Sequence, residues 1–324
     1  MRLLLCCGLL AAASCFTAQA GSATSPPDAS ESLEANCVAG SGFRIGGGDI
    51  TLSYDTAAFS LKPAQICAWT VRAALAVNAY FGRFPVRRVR IELEPRGGAG
   101  MHGGTTWGEA DQGKPLIRVR LGSSASAAQL DDDWSMTHEM VHLSVPSVPE
   151  RSHWLEEGIA TYVEPIARVQ TGELSAQSIW ADMFRGMRKG LPKDGDRGLD
   201  NTPTWGRTYW GGALFCLMAD VRIRERTGNR KGLQDALRGV LAAGGNIGVN
   251  STVEYMLGLG DKAVGVPLLS ELYGQWAAAA LPSSDELDTL WQRLGVVADG
   301  DGVRLDDSAP LAAVRRAITA PEPP

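Results

Sequence analysis

The sequence predicts an α+β chain in which a small mixed β-sheet is followed by a mostly helical part. Two patterns carry this prediction. Ahead of about residue 125, apolar residues alternate with polar or charged ones in three short runs, the period of half-buried strands. Beyond it, apolar residues recur three and four apart, the period of helices with one buried face. A hydrophobic fraction of 44% and a charged fraction of 21% over 324 residues are those of an ordinary globular chain.

The elements follow in order. Ile50, Leu52 and Tyr54 alternate with polar neighbours and mark a first strand. Pro63 suits the first turn of a helix over 63–81, with Ile66, Thr70, Ala73 and Val77 along one face; Gly82 and Pro85 stop it. Val89, Ile91 and Leu93 mark a second strand, and Ile117, Val119 and Leu121 a third. The interleaved arginines 88, 90, 118 and 120 read as a solvated sheet face. The glycine-rich stretch 97–108 between these strands reads as a loop. A single helix is expected over 127–144, ending before Pro146, with Asp131, Asp132 and Asp133 in its first half. A second starts near Ser152 as N-cap and carries Leu155, Ile159, Tyr162 and Val163 on its inner face. Further helices are expected over 209–226, 231–241, 267–280 and 285–294, the last with Ser283 and Glu286 as a capping box.

The N-terminus predicts export. Arg2 precedes an apolar run over 3–13, and Ala18-Gln19-Ala20 offers small residues for cleavage before Gly21. The run is shorter than the ~20 residues that span a bilayer, and no later segment reads as a transmembrane helix. Ala12-Ala13-Ser14-Cys15 resembles a lipoprotein box, an alternative processing site that would place a lipid anchor on Cys15. Either route puts the protein in the periplasm or outside the cell, free or membrane-anchored. There Cys37 and Cys67 are a candidate disulfide, while Cys216, inside an apolar run, reads as a buried thiol. A net charge of -5 carries no basic footprint for nucleic acid. The expected organisation is a signal peptide at 1–20, a linker at 21–36, a sheet-containing subdomain at 37–170 and a helical subdomain at 171–324 of the same unit.

Chemistry concentrates in His138-Glu139-Met140-Val141-His142, which uses two of the four histidines. Histidines four apart on a helix stand one turn above each other, so both imidazoles can reach one metal ion. Glu139 is offset around the helix and can take a proton from a water the metal activates. A catalytic zinc takes three protein ligands and leaves one position open. The best third ligand is Glu157 in Trp154-Leu155-Glu156-Glu157-Gly158-Ile159-Ala160, carried on an antiparallel helix; Glu156 is next and His153 follows. His102, in the glycine-rich stretch, reads as solvated.

The His-Glu-x-x-His helix followed by Trp-Leu-x-Glu-Gly-x-Ala resembles the gluzincin peptidases, the thermolysin-like superfamily that includes the zinc aminopeptidases. Tyr209 to Leu214 and Asp220 to Gly228 are similar to segments of its glycyl aminopeptidase family, as are residues 268–295 more loosely. The resemblance spans about 130–295 and implies a thermolysin-like catalytic domain with one zinc per chain, held by His138, His142 and Glu157. It implies Glu139 as the general base, Tyr209 as donor to the tetrahedral intermediate, and a peptide or protein substrate. Three features depart from the pattern. Only fourteen residues separate His142 from Glu157, Gly211 stands where the relatives tend to have lysine, and no Gly-x-Met-Glu-Asn segment is present to anchor a terminal amine. Cleavage at a terminus and within a chain therefore both stay open. The competing reading is a catalytically silent zinc-binding scaffold of the cell envelope.

Overall fold

The computed structural model describes residues 42–109 and 113–321. The segments read as signal peptide and linker, Cys15 and Cys37 lie outside the described residues; Cys67 is buried and disulfide-bonded. The architecture is the expected one, a small mixed sheet leading into a helical part.

Strands β1 (Gly42–Ile45), β2 (Gly48–Ser53), β3 (Arg88–Arg96), β4 (Met101–Trp107) and β5 (Leu116–Gly122) form one sheet in the order β1-β2-β3-β5-β4. The three inner strands run parallel, and the edge strands β1 and β4 are antiparallel to their neighbours. Helix α1 (Pro63–Phe81) makes the crossover from β2 to β3 that a parallel pair requires. Its buried face includes Ile66, Val71, Ala74 and Val77. Val89, Ile91 and Leu93 of β3 point into the core as the alternation predicts, and on the other face Glu92 pairs with Arg118 across the sheet.

Strand β4 corrects the loop expected at 97–108. None of its residues is buried, so it carries no apolar alternation to read. Backbone pairing with β5 builds it, with a register shift between Met101 and Gly104.

The expected 127–144 helix is two helices, α2 (Ala127–Asp131) and α3 (Ser135–His142). The break comes from Asp133. One carboxylate oxygen accepts the Ser135 N–H (3.1 Å) and hydroxyl (2.6 Å), and the other accepts the Met136 N–H (3.0 Å) and the Trp69 indole (3.0 Å). A side chain that captures the first free N–H groups starts a new helix rather than continuing the old one. Asp133 thus sets where the His-Glu-x-x-His turn begins and ties it to α1.

Helix α4 (His153–Gln170) runs through the middle of the molecule, touching α1, α3 and the helices that follow. Ser152 does not cap it. The Ser152 hydroxyl donates to Asp200 (2.9 Å), which also accepts the Trp154 indole (2.7 Å) and the Tyr273 hydroxyl (2.8 Å), so Asp200 anchors the start of α4 from outside. After α5 (Ala176–Gly186) the chain enters a π-helical turn over Gly206–Gly211 and then α6 (Gly212–Thr227), where one helix was expected from 209. Arg207 pins that turn through an ion pair with Asp196 (2.8 Å) and a hydrogen bond to the Gly190 carbonyl (2.7 Å).

Helices α4 and α6 cross backbone on backbone. A Cβ on Gly158 would stand 2.3 Å from the Gly212 carbonyl carbon, and one on Gly212 would stand 2.2 Å from the Trp154 oxygen. Neither neighbour is a side chain that can rotate away. Gly158→Ala is therefore expected to cost about 1–3 kcal/mol as overpacking. Thermal denaturation should show a fall of several degrees, and an unchanged Tm would mean the helices part without cost.

The remaining chain forms α7 (Leu233–Ala242), α8 (Val253–Val264), α9 (Leu268–Trp276), α10 (Ser284–Leu294), a hairpin of β6 (Val296–Asp299) and β7 (Gly302–Leu305), and α11 (Ala312–Thr319). The capping box at Ser283 and Glu286 is present. Helices α5, α8 and α11 and the hairpin were not anticipated. Among the described residues no helix is long and apolar enough to cross a membrane.

Candidate metal centre

Helix α3 presents His138, Glu139 and His142, all buried, to a cleft of about 580 Å³. The two imidazole centroids lie 4.9 Å apart. Helix α4 packs against α3 and brings Glu157, in its second turn, to them. Glu157 Oε2 stands 3.1 Å from His138 Nε2 and 3.6 Å from His142 Nε2. One donor atom from each residue falls within 4.8 Å of the other two, and among the described residues this is the group arranged to hold a metal ion. Two imidazole nitrogens and a carboxylate oxygen converging on one buried point, with an open side to the cleft, suit zinc.

The charges of the three groups depend on one another. Burial pushes His138 below the ordinary histidine value, outweighing its hydrogen bond to Glu157, so it presents a neutral ring. Burial also opposes charge on His142 and Glu157. For His142 the carboxylates, Glu157 first, overcome it and raise the value. For Glu157, hydrogen bonds to His138, His142 and His153 overcome it and keep the carboxyl ionised.

The structure separates the three candidates for a third ligand. Glu157 faces the histidines. Glu156 faces the 143–152 connection, where it accepts the Val148 N–H at 2.7 Å. His153 sits between the two glutamates, Nδ1 3.2 Å from Glu156 Oε2 and Nε2 3.1 Å from Glu157 Oε1. Those two carboxylates push its value up to about 10.

Glu139 points toward edge strand β4. Its Oε2 accepts the Thr106 hydroxyl at 2.6 Å. A Cβ on Gly104 would fall 2.5–2.7 Å from the Glu139 side chain, so a residue without one lets the strand run this close. The sequence offers Gly103-Gly104-Thr105-Thr106 only as a remote substitute for an amine-anchoring segment. That Gly104 and Thr106 lie against Glu139 was not anticipated, since the stretch carries no apolar pattern to place it.

Tyr209 stands on the π-helical turn across the cleft, its ring stacked at 6.4 Å from that of His138. Burial, then the charges of Glu157 and Glu139, raise its phenol above the ordinary tyrosine value, so it remains a hydrogen-bond donor at neutral pH. Tyr162, with the same side-chain chemistry, is fully buried elsewhere and donates to Asp220 at 2.9 Å. His102 is exposed on β4, outside the cleft lining. Cys216 is buried and free, its thiol pushed up by burial. Trp107 and Trp134, 38% and 55% exposed, stand at the cleft walls and give it apolar surface.

No family model and no curated protein matches this chain. Solved structures do. An aminopeptidase N family protein from Idiomarina loihiensis superposes with a TM-score of 0.51 at 13% identity, covering 84% of this chain and 48% of that one. An M1 zinc metallopeptidase from Deinococcus radiodurans gives a TM-score of 0.45 at 16% identity over 74% of this chain and 51% of that one. A mutant of that protein with a bound Tyr-Ser-Ala substrate gives 0.45 at 15% identity over 72% and 49%. The chain spans about half the length of the structures it matches. Its structural neighbours are thus M1 zinc metallopeptidases, and the α+β fold is shared with the aminopeptidase N family protein.

Proposed function

We propose that this chain is an exported zinc metallopeptidase that hydrolyses peptide bonds. The observation that carries the reading is the convergence of His138, His142 and Glu157 on one point, with Glu139 beside it and Tyr209 across the cleft. His138, His142 and Glu157 would hold one zinc ion per chain. When bound, zinc lowers the pKa of a water molecule to about 7 and polarises a carbonyl oxygen.

The chain's own residues do the rest. Among the described residues β4 is an edge strand, so an extended peptide can pair with its backbone between Gly103 and Trp107. Trp107 and Trp134 offer apolar walls to the side chains of that peptide. Glu139, steered by Thr106, accepts the proton of the attacking water and delivers it to the leaving amine, a base that becomes an acid. Tyr209 donates to the oxygen that gains charge as the carbonyl carbon becomes tetrahedral. Export rests on the apolar run at 3–13 and the small residues at 18–20.

The test is zinc content of the purified protein together with cleavage of a peptide library that includes free and blocked N-termini. One zinc per chain in the wild type, less in Glu157→Ala, and cleavage abolished by a chelator and restored by zinc are expected. Zinc bound with no peptide cleaved would favour the silent scaffold. No zinc after reconstitution would overturn both readings.

A further inference from the structure

Only fourteen residues join His142 to Glu157; a 3-10 turn over Glu150–Ser152 feeds directly into α4, whose first four residues complete the connection. Glu157 is therefore held by the first turns of a helix rather than by its rigid middle. The backbone at the start of α4 is anchored on Asp200, but a glutamate carboxylate turns on three side-chain torsions and needs a second contact to keep one oxygen aimed at a fixed point.

His153 stands where such a contact is required. It lies three residues before Glu156 and four before Glu157, the spacings that bring side chains together on one helix face. Its Nδ1 is 3.2 Å from Glu156 Oε2 and its Nε2 is 3.1 Å from Glu157 Oε1. Glu156 is fixed in turn, its Oε1 accepting the Val148 N–H at 2.7 Å from the connection itself. The two oxygens of Glu157 are thus divided. Oε1 goes to His153 and Oε2 goes to His138 and His142, while the Tyr209 phenol hydrogen-bonds to the same carboxylate. His153 does not join the converging donor group.

We propose that His153 is a positioning residue for the third metal ligand, the central link of a chain from Val148 through Glu156 and His153 to Glu157. The inference rests on the zinc reading given above. Its physical content is that His153 occupies Oε1 so that a single oxygen, Oε2, is left to the ion. Losing an outer partner of a metal ligand commonly weakens metal binding by about 10–100-fold.

The measurement is zinc affinity of the metal-stripped, purified protein, read by competition with a chromogenic chelator, beside thermal denaturation of the same metal-free samples. His153→Phe keeps a planar ring and removes both nitrogens. It is expected to bind one zinc per chain about 10–100-fold more weakly than wild type, with the metal-free Tm close to wild type. His153→Gln, which restores one donor, should recover part of the loss. Unchanged affinity in His153→Phe overturns the proposal. So does complete loss of zinc, equal to that of His138→Ala, which would make His153 a ligand itself. If His153→Phe does not fold, Glu156→Gln reads the same chain from its other end. It should weaken zinc binding by a smaller factor, and unchanged affinity there overturns the proposal as well. The two readings fail separately. Wild-type protein that binds zinc and cleaves nothing sinks the peptidase and leaves His153 in place. Tight zinc binding by an active His153→Phe does the reverse.

Discussion

Glu139→Gln is expected to lower kcat by about 10²–10⁴-fold while the protein keeps its zinc. The substitution is nearly isosteric. Glutamine can still accept the Thr106 hydroxyl through its carbonyl oxygen, so the cleft wall formed by β4 should stay in place. What it cannot do is take a proton from water and return it to the leaving amine. Glu139 also lies outside the converging donor group, so zinc content should match wild type. Steady-state kinetics on one peptide from the library, beside metal analysis, checks both halves. Full activity with zinc bound would remove Glu139 from the chemistry. Lost zinc would mean that Glu139 helps hold the ion, and the division of labour within the motif would need redrawing.

Tyr209→Phe is expected to lower kcat by about 10²–10³-fold with little change in KM, the pattern for a donor whose bond strengthens only as charge develops on the carbonyl oxygen. The ring stays anchored because Arg207 and Asp196 hold the π-helical turn from behind, and neither touches the phenol. Raised above its ordinary value, that phenol has its proton to share at neutral pH. Tyr162→Phe is the matched control. It removes the same hydroxyl from the buried bond to Asp220, so it should lower Tm and leave kcat near wild type. A Tyr209→Phe variant with unchanged kcat would assign Tyr209 to the cleft wall only.

How far each feature could be read from the chain depends on whether its cause is local. Helix α1 was legible from Pro63 to Gly82 because its start, its buried face and its stop all lie within it. Strands β3 and β5 were legible because each has one face in the core. Strand β4 was not, since backbone pairing with β5 makes it and no side chain records that. The break between α2 and α3 was hidden for a related reason. A run of three aspartates suits a helix start equally well at several offsets, and the choice of Asp133 depends on Trp69, sixty-four residues away. The π-helical turn under Tyr209 depends likewise on Arg207 reaching Asp196 and Gly190 from a different part of the chain.

That two histidines and a glutamate share one helical turn was readable from the chain, because the spacing within His138 to His142 dictates that geometry wherever the helix sits. The sequence also narrowed the third donor to neighbours in one short segment. It ranked Glu157 first among them, and the fold adds the approach that brings its carboxylate to the histidines. Glu156, Glu157 and His153 differ by at most four positions, and which one meets the histidines depends on the angle at which α4 arrives. That angle is set by the contact of Gly158 with Gly212 and by the anchoring of Ser152 and Trp154 on Asp200. Both are contacts between segments more than forty residues apart, and no local pattern encodes them.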